Sequence, residues 1–335
     1  MRNRLSLFST TLLLAILTAA VSGCQRIAAE KAKALPSDPA QSKSVTSAAR
    51  GAAYKSATIL AQLRDSAVKE SSGIVASRSS PGVYWTHNDS GDGPFIYAFD
   101  ARGEPRGVWR VTNAKARDWE DIAAGPGPET GRSYLYIGDI GNNSGSRTDV
   151  TVYRVPEPEV TSSDFSTKSQ PRLTEPAEPI RLRYPRATPD AEALLVHPAT
   201  GKLYIVTKET FGNPKVYMAA PPFNSSLSSS LVRIADLELP SLFGLITGGD
   251  ISPDGRRVAL CDYTQGYELI LPENAVDFEV IWKQPLAPIE LGKRKQGEAI
   301  AYRFDGMAVL ATSEGFPTPL IQVVRNTSRR EDQAQ

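Results

Sequence analysis

Acidic side chains recur along this 335-residue chain in two settings. One set opens short apolar runs: ESSGI at 70–74, DWEDI at 118–122, DAEAL at 190–194, GGDI at 248–251 and GEAI at 297–300. The other closes runs rich in β-branched and aromatic residues: VYWTHND at 83–89, LYIGD at 135–139, LYIVTKE at 203–209, VALCD at 258–262 and AVLATSE at 308–314. If the start of each first run lies beside the end of each second, Glu70, Asp118, Glu120, Asp121, Asp190, Glu192, Asp250 and Glu298 gather in one place. Asp89, Asp139, Glu209, Asp262 and Glu314 then surround them. Carboxylates roughly 5–8 Å apart repel by about 1 kcal/mol per pair at an effective dielectric near 50, and by more when dry. Such a gathering either holds protons or takes a cation. These are hard oxygen donors in a chain with two His and two Cys, so calcium fits first, magnesium second and zinc poorly. The competing reading is a solvated acidic rim that caps strand ends.

The elements that position these acids repeat five times. Each acid-led run reads as a strand and is followed by a turn, at Ser80–Gly82, Thr130–Gly131, Thr200–Gly201, Pro253–Gly255 and Asp305–Gly306. The second runs follow, then third strands at 95–99, 151–155, 215–218, 267–271 and 320–324. Fourth strands are expected at 107–111, 180–184, 231–239 and 278–282. The fifth unit runs out of chain, and Ala57–Leu63 has the character to complete it. Groups of four short strands closed by the opposite end of the chain describe a five-bladed β-propeller, a ring with few free sheet edges. Six blades remain open if residues 118–185 hide another. Two stacked β-sandwiches would not explain the phasing of the acids. Gly and Pro at 25 each argue for frequent turns and against long helices.

Several local patterns stand beside blander readings. Asn88–Gly93 (NDSGDG) begins like a calcium loop, but Phe99 stands where the twelfth-position acid belongs, so a polar turn is preferred. Asp139–Gly145, with Asn142 and nearby Arg147, offers amides for an anion or a plain turn. GPETGRS at 127–133 is too short between its glycines for a phosphate loop and leads into a strand. His87 is a candidate general base, with packing favoured. Lys208 and Arg303 could meet an anion, although single basic loop residues are usually solvated. Trp85, Trp109, Trp119 and Trp282 are expected in the packing between blades.

As architecture over residues 57–325, with the repeated E/D-x-(S/E)-x-(I/L) strand starts, the chain resembles the calcium-centred propellers as a group. These include calcium-activated nucleotidases, lactonase and phosphotriesterase propellers, and phytase-like propellers. The resemblance implies a channel calcium held by one ligand from most blades, here Glu70, Glu120, Glu192, Asp250 and Glu298. The first and fourth units depart from the pattern at Ser72 and Gly249. Asn88, Asp139, Asn142, Lys208, Glu209, Asp262 and Glu314 are expected to face a ligand on the same side. Two function classes follow: a binding scaffold for a small molecule or an envelope protein, or a calcium-dependent hydrolase of a phosphoester or lactone. In the hydrolase Asp121 or Asp89, with His87, would activate water.

The N-terminus bears on location. Arg2 and Arg4 precede an apolar stretch at Leu12–Ala20 that is too short for an ordinary membrane span. It ends in Val21-Ser22-Gly23-Cys24, which resembles the lipobox of bacterial lipoproteins. The resemblance implies a signal peptide over residues 1–23, lipid on Cys24, and, with Gln25 in place of Asp, transfer to the outer membrane. Residues 24–56 read as a tether and 326–335 as a tail. A short amphipathic helix over 25–35 competes with the tether reading. Cys261 is then the free thiol in an oxidising compartment and is expected to be buried. Lysine plus arginine (38) nearly cancels aspartate plus glutamate (37), which argues against nucleic acid. A monomer is expected.

Overall fold

A computed structural model describes residues 53–161, 165–240 and 243–326. The signal segment, Cys24, most of the tether and nearly all of the tail lie outside the described residues. Strand β1 (Thr58–Gln62) comes first. Blade one is β2 (Ser71–Ala76), β3 (Val83–Asn88), β4 (Phe95–Asp100) and β5 (Pro105–Arg110). Blade two is β6 (Trp119–Pro126), β7 (Ser133–Asp139), β8 (Val150–Pro156) and, after the short β9 (Arg172–Leu173), β10 (Glu178–Arg183). Blade three is β11 (Ala191–Val196), β12 (Leu203–Thr207), β13 (Lys215–Ala219) and, after the short β14 (Ser228–Ser230), β15 (Val232–Asp236). Blade four is β16 (Ile246–Ile251), β17 (Arg257–Asp262), β18 (Gly266–Ile270) and β19 (Ala287–Ile289). Blade five is β20 (Gly297–Tyr302), β21 (Ala308–Ser313) and β22 (Pro319–Val324), closed by β1 along β22.

The five-bladed propeller read from the repeats is therefore the fold, with five blades and not six. The innermost strands β2, β6, β11, β16 and β20 are buried on both faces. Their apolar side chains pack between successive blades, as with Ile122, Leu135 and Trp85 between blades one and two. All four tryptophans are buried there.

One expected strand is corrected. Residues 278–282 form part of a 3₁₀ helix, Phe278–Lys283, and the fourth strand of blade four lies beyond it at β19. Ile281 and Trp282 bury on one side of this helix, and Phe278 packs on Tyr204 and Trp282. That is helical spacing, which a run of large apolar residues disguises as a strand. Pro288 pairs opposite Tyr267 in β19, at a sheet edge where a missing N–H is tolerated.

β9 and β14 add a second feature. Each pairs in parallel with the outer strand of the preceding blade, β9 with β5 and β14 with β10. Blades one and two thus carry a fifth strand laid on by the next blade.

Candidate metal centre at the channel mouth

All five inner strands are interrupted at the same place. The ladder shifts register between Ser71 and Gly73, Trp119 and Asp121, Ala191 and Ala193, Ile246 and Gly248, and Gly297 and Ile300. A β-bulge lets one side chain leave the strict alternation of the sheet. The equivalent residues are Ser72, Glu120, Glu192, Thr247 and Glu298. Where this residue carries a hydroxyl, it reaches the next blade's main chain: Ser72 Oγ donates to the Glu120 carbonyl at 2.8 Å and Thr247 Oγ1 to the Gly297 carbonyl at 3.1 Å. The three glutamates are each no more than 6% exposed.

This register revises blade four. Asp250 is not the counterpart of Glu120; Thr247 is. Asp250 is fully engaged inside the molecule, accepting from Tyr302 N at 2.9 Å and Ile251 N at 2.8 Å, and burial pushes its pKa up to about 6. Asp121 is likewise internal. It accepts from Ile122 N at 2.8 Å, Leu194 N at 3.0 Å and Gly249 N at 3.2 Å, joining blades two, three and four. Its oxygens serve the backbone rather than a water at the mouth. His87 is 0% exposed, its ring edge-on to Trp119, its Nδ1 2.8 Å from the Asn88 carbonyl. Burial lowers its pKa. Neither Asp121 nor His87 is presented to a substrate.

The ends of the second strands show a second regularity. Asn88, Asp139, Thr207, Asp262 and Ser313 occupy one equivalent position, opposite the first residue of each inner strand. Every one of them caps local backbone. Asn88 Oδ1 accepts from Lys69 N and Glu70 N, and Asp139 Oδ1 from Asp118 N. Thr207 Oγ1 accepts from Lys215 N, Asp262 Oδ1 from Thr264 N and Gln265 N, and Ser313 Oγ from Gln296 N. Asp139 also forms a buried ion pair with Arg147 at 2.7 Å. Asn142 belongs to the same construction: its Nδ2 donates to the Thr188 carbonyl at 2.8 Å, and its Oδ1 accepts from Arg147 N at 3.0 Å. Glu209 faces Lys215 and Thr207. Asn88, Asp139, Asn142, Glu209 and Asp262 are thus committed to loops, as capping residues at turns are. Asp92, in the loop that began like a calcium site, bonds to Lys168 and to the Tyr97 hydroxyl.

One residue further on, alternation turns the side chain inward, and here the mouth is built. Asp89 meets Asp118 and Glu120, with one carboxylate oxygen of each lying within 4.8 Å of the others. Lys208 forms an ion pair with Glu192, and its Nζ stands 5.0 Å from the Tyr263 ring centroid. Burial alone would lower the Lys208 pKa, but the neighbouring carboxylate outweighs it and the ammonium is held charged. Glu314 is raised by burial and by the charges of Glu70 and Asp89. Glu70 itself is exposed, at the rim of the mouth.

The cluster carries the electrostatic signature of crowded, buried acids. Burial, then the charges of Glu192 and Asp89, push Glu120 well above the carboxylate range. Burial and Asp89 raise Asp118. Burial lifts Glu298 to about 7 against the Gln296 amide, whose Nε2 donates to its Oε1 at 2.9 Å. Gly141 closes the cluster: a Cβ there would lie 2.0 Å from Glu120 Oε1 and 2.6 Å from Asp118 Oδ2. The donor set is all oxygen and suits calcium or magnesium. Asp118 joins the set through its two-residue spacing from Glu120, which puts both on one face of an extended run. Cys261 lies away from solvent, burial pushing its thiol up to about 11.

Fold and site together define a five-bladed propeller with an acidic channel mouth. No protein-family model matches the chain, and no curated protein is similar to it in sequence. Among solved structures 734 chains match. One is hydrazine synthase of Kuenenia stuttgartiensis, 12% identical, with 77% of this chain and 72% of that chain covered at a TM-score of 0.39. A superposition that loose adds nothing to the fold established by the strand pairing.

Proposed function

We propose that this protein is a binding scaffold of the bacterial cell envelope, held to the membrane by lipid on Cys24, whose channel mouth takes a hard divalent cation. Calcium is the first choice and magnesium the second. The observation that carries the reading is the convergence of Asp89, Asp118 and Glu120 within 4.8 Å, while the nearby cations Lys208 and Arg147 are paired with Glu192 and Asp139. An ion there would relieve the repulsion and leave coordination positions for oxygens of a ligand. Glu192 and Glu298 would border that ligand rather than share the ion equally.

The hydrolase reading is weaker. Of its three water-activating candidates, Asp121 and His87 are internal, and Asp89 belongs to the cation cluster. Phosphoester chemistry also asks for cationic clamps on the transferred group, and Lys208 and Arg147 are already spent. The test uses the full chain in detergent micelles. Metal content is measured by mass spectrometry, and melting is compared in calcium and in chelator. About one calcium per chain, with a melting temperature several degrees lower on chelation, is expected. Metal-free protein with unchanged melting would make the acids a solvated rim.

A further inference from the structure

The five bulge positions differ in what their side chains hold. Ser72 and Thr247 bond to the next blade's main chain. Glu192 holds the Lys208 ammonium, and Glu298 accepts from the Gln296 amide. Among the described residues nothing bonds to the side chain of the fifth, Glu120: it has no hydrogen bond and no ion pair. Glu120 is 4% exposed, and its carboxylate oxygens are not sealed from the surface. A nearly buried carboxylate thus faces the mouth with no partner. The largest charges acting on it, those of Glu192, Asp89, Asp118 and Asp190, are all negative. Such a group costs free energy until something supplies a donor or a positive charge.

The next blade displays a partner for the equivalent group. Glu192, the counterpart of Glu120, pairs with a primary ammonium, and the Tyr263 ring centroid stands 5.0 Å from that Lys208 Nζ. An ammonium aims three N–H donors at acceptors about 2.8 Å away. With tetrahedral geometry, three such acceptors stand about 4.6 Å apart. Asp89, Asp118 and Glu120 offer one oxygen each, all within 4.8 Å of one another. Gly141 leaves the approach clear, since a Cβ there would lie 2.0 Å from Glu120 Oε1.

We propose that the cluster of Asp89, Asp118 and Glu120 binds the primary ammonium group of an alkylamine, and that amine and divalent cation exclude one another there. The proposal rests on the reading of this cluster as a cation position and adds an organic ligand class to it. Each N–H of the ammonium donates to one of the three carboxylates, as Lys208 donates to Glu192. A quaternary ammonium carries the same charge without an N–H and does not satisfy them. A free amine and a lysine side chain of another protein share the required chemistry.

The experiment titrates the full chain in detergent micelles by calorimetry, in chelator at neutral pH. The probes are a straight-chain diaminopentane, its bis-trimethylammonium counterpart and a blocked glycyl-lysyl-glycine tripeptide. The expected result is that the diamine or the tripeptide binds at least tenfold more tightly than the quaternary probe, and at least tenfold more weakly to Glu120→Gln. Binding to Glu273→Gln, exposed beyond β18 in blade four, should match the wild type, and saturating calcium should displace the amine. Whichever amine binds more tightly identifies the source, a free amine or a protein lysine. If Glu120→Gln does not fold, Asp89→Asn takes its place. Calcium binding with no amine binding overturns this proposal and leaves the metal reading standing. Amine binding that Glu120→Gln weakens, with no calcium bound, does the reverse. Equal binding of the quaternary probe, or of the amines to Glu120→Gln, would reduce the effect to attraction by an acidic rim and overturn the proposal. Simultaneous binding of calcium and amine would overturn it too.

Discussion

Gly141 and Asp118 show how little separates a solvated rim from a cation site. Asp118 reaches Glu120 because an extended backbone returns to the same face every second residue. Both carboxylates can crowd there because position 141 has no side chain: its Cβ would stand 2.0 Å from Glu120 Oε1. The obstructed atoms are the far ends of side chains, so they can swing aside without disturbing the blade. Gly141→Ala is therefore expected to weaken calcium binding at least tenfold, about 1.4 kcal/mol, with melting in chelator essentially unchanged. Calorimetric titration of wild type and variant checks this. Equal affinities would mean that Glu120 is not a ligand.

At the scale of strands and loops, two devices recur in every blade: the bulge in the inner strand and the polar cap at the end of the second. The caps explain why so many acids and amides on this face are unavailable to a ligand. The second loop of blade two is the most elaborate. Arg147 bonds to Asp139 and to the carbonyls of Asp139 and Gly141, and Asn142 ties the loop to Thr188 and, through its N–H, to Asp190. Arg147 and Asp139 are both buried, so removing one leaves the other charge uncompensated, at a cost of about 3–5 kcal/mol. Arg147→Met should lower the denaturant midpoint accordingly and loosen residues 139–147, seen as faster amide exchange. A loss below about 1 kcal/mol would show that water reaches Asp139.

The ring as a whole concentrates acids whose protons the folded state retains. Glu298 titrates at about 7, above its ordinary 4.5, and Glu120 is raised further than the normal range. Between those two values for Glu298 the folded chain binds more protons than the unfolded chain, so stability falls as pH rises. Without a bound cation, the denaturant midpoint should drop from pH 5 to pH 8, with most of the Glu298 contribution lost by about pH 7. Saturating calcium should make the slope shallower, because the ion displaces the protons held by Asp118 and Glu120 and its positive charge favours the ionised form of nearby Glu298. Parallel urea titrations in chelator and in calcium read both curves. Identical profiles would remove the cation from the ring.

Strand and turn periodicity, five-fold repetition and the completing strand before the first repeat were legible in the sequence, because alternation and turn chemistry act over a few residues and repeat in each blade. The lipobox resemblance and the acids at the repeat starts could also be read there. The register of blade four could not. Aligning it on Ile251 put Asp250 in the ring, whereas the bulge puts Thr247 there, and a bulge is fixed by cross-strand pairing rather than by local pattern. Nor could the sequence show that Asp89 faces the channel while Asn88 and Asp139 cap loops. One residue's difference turns a side chain from the loop to the channel, and the partners that settle its use, such as Arg147 for Asp139 and Lys208 for Glu192, come together only in the folded ring.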